Sequence, residues 1–152
     1  EYASSLEEGK ADTLGIYMIG ELFKKGEVTE GSIENHYVTF LAGAFRSMRF
    51  GTSSAHAKAD MVRFNFFKDL GAFNRDSKGR YKVDFAKMKI AIKKLSKVIL
   101  TIQGDGDYKR LEALMEKSGN IGLQTAVDLD RIKKANIPVD IKIIQGKKTL
   151  GL

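Results

Sequence analysis

With 152 residues, 43% of them hydrophobic, the chain can bury the core of one compact domain and is too short for two comfortable ones. It has no cysteine, which excludes disulfides and thiolate zinc sites, and only His36 and His56 as imidazoles, so a metal site built wholly here would draw on carboxylates. The formal net charge of +7 admits polyanionic partners but says nothing about fold. No run of about 18 apolar residues predicts a membrane span, and Glu1-Tyr2-Ala3-Ser4-Ser5 lacks the basic and apolar regions of a signal peptide.

Ser4-Ser5 predicts a helix start, with Ser5 and Glu8 (or Ser4 and Glu7) as a capping box. This helix should run from about Ser5 to Lys25 and end at Gly26. At about 100° per residue, Glu8, Ala11, Asp12, Gly15, Ile16, Met18, Ile19, Leu22 and Phe23 fall on one side. Lys10, Thr13, Tyr17, Glu21 and Lys24 fall on the other. The acids are therefore expected on the face that the apolar residues bury. Gly9, Ala11 and Gly15 keep the helix thin enough for another backbone to approach.

A second helix, starting near Thr29 or Ser32, places Ile33, Tyr37, Phe40, Leu41, Ala44, Phe45 and Met48 at helical spacing, and Gly51 closes it. Thr52-Ser53-Ser54 forms a loop and cap before a third helix, roughly Ala55 to Leu70. Ala72 to Val83 reads as a β-hairpin around a polar, glycine-containing turn. Asp84 caps a fourth helix, about Phe85 to Gln103, striped by Met88, Ile92, Leu95, Ile99 and Ile102 and broken by Gly104-Asp105-Gly106-Asp107. Helices over about Tyr108–Lys117 and Leu123–Ala135 follow, and Pro138 opens an extended run from Val139 to Ile144. The expected class is mainly α: one multi-helix domain over 1–152, with a small β-hairpin and a short C-terminal strand.

Chemistry concentrates in Leu6-Glu7-Glu8-Gly9-Lys10-Ala11-Asp12. A carboxylate turned toward a core is costly unless a metal, a cation or hydrogen-bond donors receive it. Glu8 and Asp12 stand one turn apart and can serve adjacent parts of one site, while Glu7 points to its flank. From spacing alone the alternative stands that Glu7 and Glu8 merely complement the positive end of the helix. His56, Asp60, Arg63 and Phe67 share one face of the third helix, where Asp60 can accept from the imidazole or pair with Arg63. His36 reads as a surface or partner-facing residue. Lys87, Lys89, Lys93, Lys94 and Lys97 read as a solvated face, because no aromatic stacking set is interleaved with them. Gly104-Asp105-Gly106-Asp107 lacks the spaced ligands and terminal glutamate of a calcium loop and reads as a turn.

Glu7-Glu8-Gly9-Lys10-Ala11-Asp12 resembles the E-E-x-[RK]-A-[ED] motif of the dipeptidyl peptidase III family, zinc exopeptidases that carry a separate H-E-x-x-G-H motif. Leu14-Gly15-Ile16-Tyr17 fits the family's small, apolar continuation. Arg49-Phe50-Gly51 and Ala55-His56 sit where the family has another active-site segment, so the likeness covers about the first 70 residues. The resemblance implies Glu8 as the zinc-ligating glutamate, and Glu7 and Asp12 as acids that hold the metal-binding histidines in place. It implies His56 as the catalytic histidine that contacts substrate and stabilises the transition state. Asp60 and Arg63 are candidate substrate-contacting or orienting residues. Asp60 stands where the family has an arginine, four residues after the histidine, and Asp12 where many members have glutamate.

No H-E-x-x-G-H occurs in the chain, so two imidazole ligands and the glutamate that activates water are missing. With the abrupt start at Glu1, the resemblance implies a C-terminal fragment of a larger metallopeptidase. Its expected partners are a peptide substrate and the missing N-terminal portion of the same protein, with no membrane or nucleic acid. Zn²⁺ belongs to the intact protein and is not expected to be retained by this chain alone, which should be inactive. A cytoplasmic location is expected. Two rivals stand beside this reading: a non-catalytic basic helical module that binds protein or RNA, and a family-derived domain of a multidomain hydrolase.

Overall fold

In the computed structural model of the chain, which describes residues 2–51, 53–140 and 143–151, the helical periodicities resolve into α1 (Ala3–Lys25), α2 (Ile33–Met48), α3 (Ala55–Asp69), α4 (Phe85–Asp105), α5 (Tyr108–Ser118), α6 (Leu123–Lys134) and a four-residue α7 (Lys147–Leu150). Strands β1 (Phe73–Arg75) and β2 (Tyr81–Val83) lie between α3 and α4 and pair antiparallel, Phe73 opposite Val83 and Arg75 opposite Tyr81. The mainly α expectation is met, hairpin included. No helix among the described residues is long and apolar enough to cross a membrane.

Side-chain caps set several starts. Ser32 accepts from the Asn35 N–H, Ser54 from Ala57, Asp84 from Lys87 and Asp107 from Arg110, each satisfying a donor that a helix start leaves orphaned. Thr29 takes no part in the α2 cap, and Thr52 lies outside the described residues. The start of α1 differs from expectation. It begins at Ala3, with Tyr2 ahead of it making no side-chain cap, so Ser4 and Ser5 are already helical and no capping box forms. Ser5 is instead buried beside Leu6. Gly104 does not break α4 either. The helix runs through it, and Gly106, at φ 63°, supplies the left-handed turn that a helix end requires.

α1 packs on α3 and α4, and α2 and α5 pack on α3, around Met48, Met61, Phe64, Phe67, Met88 and Leu95. The buried face of α1 is Leu6, Thr13 and Ile16, with Thr13 fully enclosed, whereas Met18 is 53% exposed. This corrects the expected face: the stripe that enters the core lies beside Glu8 and Asp12 rather than on them, which leaves both acids at its half-exposed margin. Gly9 lies in that stripe, and Ala11 and Gly15 are exposed.

The chain after α6 forms no strand among its described residues; Ile141 and Lys142 of the expected run lie outside them. Just ahead of that run, the carbonyls of Ile137 and Pro138 accept from the Arg49 guanidinium at 2.6 and 3.0 Å, and within it Asp140 pairs with Arg46 at 2.7 Å. Two arginines of the α2 end thus clip this segment in place.

A buried polar cluster fastens α6 to the hairpin. Asp128 accepts from Arg75 Nε and Nη2 at 2.7 and 2.8 Å and from the Tyr81 hydroxyl at 2.8 Å, with Arg131 at 3.2 Å. The Arg75 bonds, followed by those from Tyr81 and Arg131, hold the Asp128 carboxyl well below its usual range against the opposing effect of burial. Burial, and then the bond to Asp128, pushes the Tyr81 hydroxyl up to about 12. A depressed carboxyl stabilises the fold above its ordinary value of 3.8 and loses that contribution as pH falls below it. A raised phenol contributes fully below its ordinary value of 10.0 and loses its share as pH rises toward about 12. Asp128→Asn is therefore expected to lower stability at pH 7 by on the order of 2 kcal/mol and to flatten both flanks of the stability–pH curve, measured by urea unfolding. Unchanged flanks would contradict the role given to the cluster.

Candidate active site

The site is assembled by one close helix crossing. A Cβ on Gly9 of α1 would stand 3.7 Å from the Ala59 Cβ of α3, so the two backbones approach with almost nothing between them. The residues flanking Gly9 and those flanking Ala59 then meet across the pair. Glu8 Oε2 lies 3.0 Å from His56 Nε2, and Asp12 Oδ2 accepts from Arg63 Nη1 at 3.0 Å. Glu8, Asp12, His56, Asp60 and Arg63, drawn from two separate stretches of sequence, form one cluster.

The two ends of this cluster differ in exposure. The His56 side chain, in the first turn of α3, is 66% exposed and Glu8 is partly open, so this end faces solvent. At the other end, the side chains of Arg63 and Asp60 are only 7% and 5% exposed and pair with each other. The Arg63 guanidinium also lies 3.8 Å from the centroid of the Phe40 ring, a cation–π contact. Burial raises the Asp60 carboxyl above its usual range, opposed by Arg63 and by a hydrogen bond with Ser47. Of the two roles open to Asp60, the structure takes the pairing with Arg63, while the imidazole goes to Glu8.

Glu7 lies on the flank. It accepts from Lys10 Nζ at 2.6 Å and from Gln103 Nε2, on α4, at 2.7 Å, which hold its carboxyl below the usual range. A groove of about 570 Å³ opens beside Glu7 and Glu8, floored by Leu6, Ile102 and Leu111. Arg49 is not drawn into the cluster, because its guanidinium is spent on the Ile137 and Pro138 carbonyls. Phe50 is half-exposed under Arg46. His36 packs edge-on against Phe23 at 5.4 Å, away from the cluster. The five lysines of α4 are exposed, and Gly106-Asp107 makes a turn that caps α5.

A metal centre needs more than this. Among the described residues, no group of three or more His, Cys, Asp or Glu side chains is placed to hold an ion. The donors present fit a single ligand position, a partly open carboxylate steadied by an imidazole, with a second carboxylate one turn on that is steadied by a guanidinium. Spacing brought out the acids and the histidine. It missed that Arg63 reaches two carboxylates, and it missed the Asp128 cluster, because pairings between elements distant in sequence leave no periodic trace.

No protein-family model matches the chain. Its fold is that of a segment of two solved peptidases: dipeptidyl peptidase III of Caldithrix abyssi, with a TM-score of 0.90 and 39% identity over 99% of this chain and 29% of that one, and the dipeptidyl peptidase III of Corallococcus sp. strain EGB, with a TM-score of 0.88 and 35% identity over 93% and 26%. A curated relative, Nudix hydrolase 3 of Arabidopsis thaliana, is 40% identical over 141 residues, which is 93% of this chain and 18% of that protein. The chain thus spans under a third of the length of each. The resemblance read from the acidic motif is borne out: in sequence and fold the chain is similar to a segment of dipeptidyl peptidase III.

The crossing at Gly9 is testable. Gly9→Ala adds a methyl at an ordinary contact distance and removes a helix-interior glycine, so stability should hold or rise by up to about 1 kcal/mol. Gly9→Leu should force the helices apart and cost about 1–3 kcal/mol. Thermal unfolding followed by circular dichroism distinguishes them, and equal tolerance of both would contradict the close crossing.

Proposed function

We propose that this segment supplies part of the active site of a zinc-dependent, dipeptidyl peptidase III-like exopeptidase that removes dipeptides from the N-terminus of short peptides. The observation that carries the reading is the 3.0 Å approach of Glu8 to His56, which joins the two stretches of the motif likeness in space. Glu8 contributes one carboxylate ligand, and the remaining ligands come from outside the segment. Glu7 and Asp12 steady the histidines among them. A bound zinc ion supplies Lewis acidity at the scissile carbonyl. His56 donates a hydrogen bond to the carbonyl oxygen as negative charge builds there, a contribution worth more in the transition state than in the ground state. The peptide lies between this unit and the rest of the protein, and neither a membrane nor a nucleic acid takes part.

The match to 18% of a plant protein bearing a Nudix hydrolase name supports a second reading, in which such a segment is one unit of a multidomain hydrolase. The encoded residues ahead of Glu1 separate the two: an H-E-x-x-G-H there supports the peptidase, and its absence favours the second reading.

In the full-length protein, Glu8→Ala is expected to strip the metal, measured by elemental analysis. His56→Ala should keep the metal and lower kcat by about 100-fold or more. Retention of metal and rate in Glu8→Ala would overturn the assignment. The isolated 152-residue chain is expected to bind Zn²⁺ weakly by titration calorimetry and to leave a dipeptidyl substrate uncleaved; tight stoichiometric binding with turnover would contradict the partial site.

A further inference from the structure

We infer that Arg63 is a positioning residue, which sets the carboxylate of Asp12 from inside the fold, with Asp60 as the buried counter-ion that makes this possible. The inference rests on the reading of Asp12 given above and adds the group that orients it. An arginine is costly to bury alone, yet the Arg63 side chain is only 7% exposed. Three contacts share that cost. Asp60, on the preceding turn of the same helix, pairs with one guanidinium nitrogen. The Phe40 ring of α2 covers the guanidinium at 3.8 Å. Asp12, on α1, takes the other terminal nitrogen at 3.0 Å.

Of the two carboxylate partners, only Asp12 is open to solvent: its side chain is 43% exposed, against 5% for Asp60. The guanidinium therefore works in one direction. Its plane is fixed by a buried carboxyl group and an aromatic face, and its other terminal nitrogen reaches outward to grip one oxygen of a carboxylate at the margin of the site. A short aspartate held this way loses its rotamer freedom and presents its second oxygen in a defined direction. Asp60 and Arg63 thus act through Asp12 rather than on the substrate, since neither has surface to offer a peptide. Of the two roles expected for them, contact with substrate or orientation, this is the second.

The test uses the full-length protein and a double replacement, Arg63→Met with Asp60→Leu, which removes both buried charges together and keeps apolar volume, a change that buried ion pairs often tolerate without loss of stability. The expected result is an unchanged or higher thermal midpoint, with kcat and zinc affinity (the latter by chelator competition) each lower by about 10- to 100-fold and KM within about twofold. Asp12→Asn should give the same losses, and combining it with the double replacement should add nothing further, because both act on one carboxylate. Arg63→Lys, which keeps the charge but not the fork, should lie between wild type and the double replacement, and reads the same effect should the double replacement fail to fold.

Several outcomes would overturn the inference. Wild-type kcat and zinc affinity in the Arg63 variants, with losses in Asp12→Asn, would leave the Asp12 reading standing and make Arg63 structural only. Multiplying losses would mean that the two act independently. A raised KM at unchanged kcat would place Arg63 on the substrate. A silent Asp12→Asn would remove the underlying reading as well.

Discussion

The close crossing of α1 on α3 at Gly9 and Ala59 is the constraint from which the rest of the site follows. A helix carries residues three and four apart on one face, so a contact at Gly9 commits Glu8 and Asp12 to the neighbourhood of whatever flanks Ala59. On α3 those residues are His56, Asp60 and Arg63. Two pairings result, one at each end: a half-exposed carboxylate with a solvent-facing imidazole, and a half-exposed carboxylate with a buried guanidinium. The remaining helices serve this arrangement. α4 backs α1 with Ile99 beside Gly9, and α2 brings Phe40 over Arg63.

Much of this was legible in the sequence because it is local. Helix positions follow from period and caps, and Ser32, Ser54, Asp84 and Asp107 mark four starts by side-chain bonds within one turn. The hairpin was legible for the same reason: Asp76 accepts from the N–H groups of Lys78 and Arg80 and closes the turn within itself. What failed depended on the surroundings. The face of α1 that enters the core was misjudged, because Thr13 and the glycine at 9 belong to it while Met18 does not. A hydrophobicity pattern ranks threonine and glycine low, yet small side chains are what a close crossing buries. The tail was read as a strand from the extended run that Pro138 opens, but an extended segment needs an edge to pair with, and this one is met instead by two arginine side chains, Arg49 on the Ile137 and Pro138 carbonyls and Arg46 on Asp140.

The candidate residues were legible one by one and not as a set. The motif likeness named Glu8, His56 and Asp12, while the partner of each lay on another element. That Arg63 serves Asp12 and Asp60 together, or that Asp128 collects Arg75, Tyr81 and Arg131, depends on which elements meet and at which residues. The chain corresponds to 29% and 26% of the two solved peptidases it resembles. Its polar cluster opens to the outside at Glu8 and His56 and is closed inward by Arg63 and Asp60, which is the polarity expected of a surface completed by other parts of a protein.

The most direct measurement of the central claim is a crystal structure of the full-length protein with zinc bound. The account predicts a Glu8 carboxylate oxygen about 2.0–2.2 Å from the metal, with His56 beside it and Asp12 still gripped by Arg63. A zinc ion held without Glu8, with the Glu8–His56 pair intact at a distance from it, would contradict the account.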